Sequence, residues 1–108
     1  TTTDCRDIFA DPQIDAVAIA TPVSTHFDLA LAALQAGKHV LVEKPMTASS
    51  EQAMRLIEEA QRRNLVLMVD HTFVYTGAVR KMHDLIATNV VGDLYYYDSV
   101  RVNLGLFQ

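Results

Sequence analysis

The chain has a single cysteine, few glycines and prolines, and no long apolar run. Each shortage excludes something. Cys5 by itself forms no intrachain disulfide and suits a reducing compartment, so a cytoplasmic location is expected. Crossing a bilayer takes roughly 20 successive apolar residues. No stretch here approaches that, and the N-terminus lacks a secretory signal pattern. The four glycines, Gly37, Gly77, Gly92 and Gly105, stand far apart, so there is no Walker loop. Cations are in deficit: nine Lys and Arg against thirteen Asp and Glu leave a net charge of -4. Without a basic patch, nucleic acid is a poor partner. The four histidines lack metal-ligand spacing, and no metal site is expected. No Ser/His/Asp arrangement stands out either.

What remains is an ordinary globular balance, half apolar and one fifth charged, in 108 residues. Asp7–Asp11 reads as the end of a helix or a turn, closed by Pro12. Ala16–Ala20 is a short continuous apolar run, which suggests a strand buried on both faces as in a parallel sheet. Thr21–Thr25 follows as a loop, with Ser24 or Thr25 placed to cap the next helix. Phe27, Ala30, Leu31 and Leu34 form one apolar helical stripe, and Gly37 stops it.

His39–Val42 is a second buried strand, ended by Glu43, Lys44 and Pro45. Ser49 and Gln52 suggest a capping box. Ala53, Leu56, Ile57 and Ala60 recur with helical spacing, and Arg62 and Arg63 suit the negative end of the helix dipole. Leu65–Val69 is a third strand. A third helix over Ala78–Ala87 places Val79, Met82 and Ile86 inward, and Leu94–Val102 reads as a longer strand carrying Tyr95, Tyr96 and Tyr97.

This alternation implies an α/β fold: a partial parallel sheet with flanking helices, then the first helix and strand of a second unit. The best boundary lies near Thr76, dividing residues 1–75 from 76–108. The chain opens on Thr1 and closes on the largely apolar Asn103–Gln108, and both ends are expected to be cuts through a longer protein.

Ligands of open α/β sheets bind beyond the carboxyl ends of the strands. That rule singles out the segment from Thr21 through Pro22 to His26, then Glu43, Lys44 and Pro45, then Asp70 to Phe73. Lys44 at the mouth of a buried strand can hold a hydroxyl, polarise a carbonyl or pass a proton. Glu43 can orient or neutralise it, and Pro45 can host a cis peptide bond. The competing reading is a surface ion pair and a loop proline. For Thr21, Pro22 and His26 the alternatives are contact with a cofactor, or an ordinary helix start with a solvated imidazole. His39 and His83 read as structural or solvated.

Ile14–Pro22 followed by His26, then Ala36–Pro45 with its Gly-Lys-His-Val and Glu-Lys-Pro pieces, resembles the Gfo/Idh/MocA oxidoreductases. The resemblance implies the C-terminal half of a Rossmann domain over residues 1–75 and the start of a substrate or oligomerisation domain over 76–108. It implies NAD or NADP as cofactor and hydride transfer at a sugar, polyol or nucleotide-sugar carbon. It gives Lys44 a catalytic place at the nicotinamide and puts Thr21, Pro22, His26, Glu43, Lys44 and Pro45 around the cofactor. Val91–Leu94 resembles the entry to the second domain, and Arg101–Asn103 is similar to members acting on nucleotide sugars.

The family's Gly-rich phosphate loop and its ribose-binding acid are not in this chain. The isolated chain is therefore expected to bind dinucleotide weakly and to be inactive. Exposed strand edges are expected to drive self-association, through the tyrosine-bearing strand among others. Against the enzyme reading stand a non-catalytic sensor of the same fold and a dimerisation module.

Overall fold

The computed structural model describes residues 1–100 and 102. The chain divides into two compact units, one spanning Thr1–His71 and one beginning at Thr72.

The first unit opens with α1 (Cys5–Ala10). The Asp4 carboxylate accepts the Arg6 amide at 2.9 Å, covering a free donor of the first turn. Strand β1 (Ala16–Ile19) leads through a 3-10 turn (Val23–Thr25) into α2 (His26–Gln35). Gly37 takes a left-handed φ of 81° just past the helix, where a side chain would be strained. Strand β2 (His39–Glu43) is followed by α3 (Ser50–Arg63) and β3 (Leu67–Asp70).

Ser49 caps α3 by accepting the Gln52 amide at 3.3 Å. The capping box is half made, because Gln52 Oε1 is buried with no partner. Asn64 ends α3 in the left-handed conformation. The cap expected at α2 is absent. Neither Ser24 nor Thr25 caps it by side chain, since the intervening 3-10 turn directs the Thr25 hydroxyl to the Pro22 carbonyl instead.

The three strands are parallel in the order β1-β2-β3, with Ile19 opposite Val42 and Glu43 opposite Asp70. Two successive crossovers of one hand, advancing in one direction, put α2 and α3 on the same face. The core is therefore one-sided: Ile19, Val40 and Val42 from the sheet meet Ala30, Ala33, Leu34, Leu56 and Ala60 from the helices. Burying a large aliphatic side chain of this kind contributes roughly 1.5–3 kcal/mol.

The expectation of strands buried on both faces is corrected. Ala16, Ala18, Leu41 and Met68, which alternate with the core residues, are exposed. A charged cluster sits on α3, where Glu59 accepts from both Arg62 and Arg63.

The second unit holds a 3-10 turn (Thr72–Tyr75) and α4 (Gly77–Ala87). The helix forms where the periodicity predicts it, but none of its residues is fully buried. Of the expected inner face, Val79 is half-buried while Met82 and Ile86 are exposed. The strand expected over Leu94–Val102 is not formed: residues 94–100 carry no regular structure, and Arg101 lies outside the described residues. A strand's amides and carbonyls need a pairing partner, and among the described residues this segment has none. Tyr95, Tyr96 and Tyr97 are all exposed. The Arg101–Asn103 similarity falls mostly outside the described residues. Among the described residues no helix is long and apolar enough to cross a membrane.

Candidate functional site

Parallel strands bring all their carboxyl ends to one rim. The register sets the Thr21 loop after β1 beside Glu43 and Lys44 at the end of β2, with Asp70 closing β3 on the other side. Lys44 thus leaves the central strand of the sheet at its open end. Its side chain is exposed, and among the described residues its ammonium has no hydrogen bond or ion pair. Glu43 does not neutralise it. The carboxylate accepts the Lys44 backbone amide at 3.0 Å, so it steadies the turn and leaves the cation free. The Lys44–Pro45 peptide is cis.

On the other side of the rim, Thr25 organises the loop. Its amide and its hydroxyl both donate to the Pro22 carbonyl, at 2.9 and 2.8 Å. The single Thr25 proton is thereby used, so the 2.7 Å contact between the two threonine hydroxyls is donated by Thr21. Thr21 and Pro22 are themselves exposed at the crevice.

His26 starts α2 behind this loop and is 1 % exposed, which removes the solvated-imidazole alternative. Its Nε2 lies 2.8 Å from the Thr21 carbonyl and its Nδ1 2.9 Å from the Pro45 carbonyl. The ring therefore stands between the two rim loops. His39 is structural, its Nδ1 accepting the Val66 amide at 2.9 Å. His71 is exposed.

The roles of two residues were not legible in the sequence. Lys38 is buried and donates to the Asp11 and Ile14 carbonyls. Thr25 falls within the rim segment expected from the sequence, with a cap as its only stated individual role. Nothing in the local pattern marks either role, because the partners are backbone oxygens that any residue supplies.

A sizeable groove lies away from the centre of the rim. It follows the unpaired outer edge of β1 and reaches Thr21 only at one end. Its walls, including Ile8, Phe9, Ile14, Val17 and Leu29, are apolar. They offer little to a charged dinucleotide, and the rim remains the better candidate on chemistry. Among the described residues no cluster of His, Cys, Asp or Glu is arranged to hold a metal ion.

Residues 1–71 match the family model described as an oxidoreductase family with an NAD-binding Rossmann fold. The chain is 42% identical over 94 residues to an uncharacterized oxidoreductase, YdgJ, of Escherichia coli, covering 87% of this chain and 27% of that protein. It is 42% identical over 81 residues to a dTDP-3,4-didehydro-2,6-dideoxy-alpha-D-glucose 3-reductase of Streptomyces violaceoruber, covering 75% of this chain and 24% of that one. A solved 3-ketoreductase of Actinomadura kijaniata, in complex with TDP-benzene and NADP, superposes with a TM-score of 0.74 at 34% identity. That match covers 81% of this chain and 28% of the ketoreductase. The chain thus spans about a quarter of the length of the curated relatives it matches.

Proposed function

The chain belongs to the Gfo/Idh/MocA oxidoreductase family, and we propose that it is a segment of an NAD- or NADP-dependent enzyme acting on a sugar, polyol or nucleotide sugar. One observation carries the reading: an exposed lysine ammonium, without hydrogen bond or ion pair among the described residues, at the carboxyl end of the central strand of a parallel sheet. That is where open α/β sheets bind their ligands. Residues 1–75 are read as the later half of the dinucleotide-binding domain, and residues 76–108 as the start of a substrate or oligomerisation domain.

Thr21, Pro22, Glu43, Lys44 and Pro45 line the crevice for the nicotinamide end of the cofactor, which when bound supplies or receives the hydride. Thr21, Pro22, Lys44 and Pro45 fit that role by being exposed on two loops that a buried ring stands between, and half-buried Glu43 ends the strand beneath them. The pyrophosphate end is not served by this chain, whose glycines are scattered.

Lys44 binds the substrate oxygen at the reacting carbon and passes or receives its proton as the carbon changes between alcohol and carbonyl. Glu43 keeps the Lys44 backbone in place. The dTDP-sugar reductase among the relatives supports a sugar-like substrate. The same reading places the enzyme in the cytoplasm as a homo-oligomer.

The test is Lys44→Met in the full-length protein. We expect kcat to fall about 10²–10⁴-fold, while the dissociation constant for the reduced cofactor, read by fluorescence titration, stays nearly unchanged. Unchanged kcat, or a wild-type protein that oxidises no NADH or NADPH with any keto-sugar, overturns the reading.

A further inference from the structure

We propose that His26 is a positioning residue: it touches no ligand, and it sets where Lys44 stands by tying the Thr21 loop to the Lys44–Pro45 turn. The proposal rests on the hydride-transfer reading above.

The two loops follow different strands, and beyond the β1–β2 ladder the described residues show no hydrogen bond between them other than through this ring. Both ring nitrogens are taken, Nε2 by the Thr21 carbonyl and Nδ1 by the Pro45 carbonyl, and the ring is 1 % exposed. No edge is left for a cofactor. A carbonyl oxygen only accepts, so a neutral ring closes one side of the tie and a doubly protonated ring closes both.

The base of the tie is rigid. His26 is the first residue of α2, whose Ala30, Ala33 and Leu34 are core residues. Its far end is the carbonyl next to the Lys44–Pro45 peptide. Among the described residues the Lys44 side chain makes no hydrogen bond or ion pair, so its position follows from the backbone that His26 holds.

The test uses the full-length enzyme and two variants. His26→Phe keeps a ring of similar size and removes both nitrogens, and His26→Gln restores a donor. We expect His26→Phe to lower kcat about 10–100-fold with the cofactor KM within about threefold, as for a displaced catalytic group. His26→Gln should recover part of the loss. In a Lys44→Met background, His26→Phe should lower kcat no further, because both changes act through one group.

A raised cofactor KM with unchanged kcat would make the ring a direct contact and overturn the proposal. So would an equal further loss in the Lys44→Met background, which would mean general damage. Should His26→Phe fail to fold, the apoenzyme gives a separate readout. The wild-type ring should show at least one N–H resonance protected from solvent exchange by ¹H–¹⁵N NMR, and ring protons exchanging at the solvent rate would overturn the tie. A wild-type enzyme without nicotinamide-dependent turnover ends the hydride-transfer reading instead, and leaves the NMR result to decide the tie alone.

Discussion

Lys38 donates its ammonium to the carbonyl of Ile14, 24 residues earlier, at 2.8 Å. The same nitrogen reaches the Asp11 carbonyl at 2.6 Å. A 6 % exposed lysine thus fastens the segment between α1 and β1 to the start of β2. Lys38→Met keeps the aliphatic stem and removes the donor, leaving two carbonyls short of a partner. Unfolding free energy should fall by about 2–4 kcal/mol, read as a lower urea midpoint at constant slope. No shift in the midpoint would mean that water replaces the ammonium at no cost.

Glu59 sits below its ordinary value of 4.5 because Arg62, and then Arg63, donate to its carboxylate. A depressed native value means the unfolded chain takes up the proton first as pH falls. The cluster's contribution is complete above the ordinary glutamate value and is lost as pH drops through the lowered native one. The urea midpoint of the parent should therefore decline more steeply below pH 4.5 than that of Glu59→Gln. High salt should shrink the difference, since the cluster lies on the helix surface. Parallel pH curves for the two proteins would remove the cluster from the account.

The isolated chain should bind dinucleotide poorly. Backbone amides at a Gly-rich loop and helix start supply much of the affinity for a pyrophosphate, and the glycines here, Gly37, Gly77, Gly92 and Gly105, form no such loop. Titration calorimetry with NADH and NADPH should show no submillimolar binding. Tighter binding would mean that the rim loops alone hold the cofactor.

The uncovered sheet face should make the isolated chain associate as its concentration rises. Leu41 and Met68 lie on that face and are 37% and 41% exposed. Contiguous apolar surface of this sort seeks cover. Met68→Lys should lower the mass seen by light scattering while changing stability by less than about 0.5 kcal/mol. A parent chain that stays monomeric at every concentration would refute the association.

Much of the first unit was legible from pattern. The runs at Ala16–Ala20 and His39–Val42, the stripes of α2 and α3, the stop at Gly37 and the Ser49 cap all appear where local chemistry puts them. These are short-range effects, written in residues a few positions apart. The rim segments were legible too, because a strand's carboxyl end follows from its boundaries.

Local pattern misled where the outcome depended on a partner. Leu94–Val100 has the composition of a strand but, among the described residues, no neighbour to pair with. The apolar strands suggested cover on both faces, and both helices lie on one. The Thr25 hydroxyl, a candidate cap for α2, is spent on the loop instead.

The amino-acid order by itself determined the strands and helices of the first unit and the end of β2 at which Lys44 emerges. Only the tertiary structure decided that His26 stands between two loops and that Lys38 is buried, because their partners are backbone carbonyls. Every residue carries such an oxygen, so which one a side chain meets leaves no trace in the sequence and is set by how the chain packs.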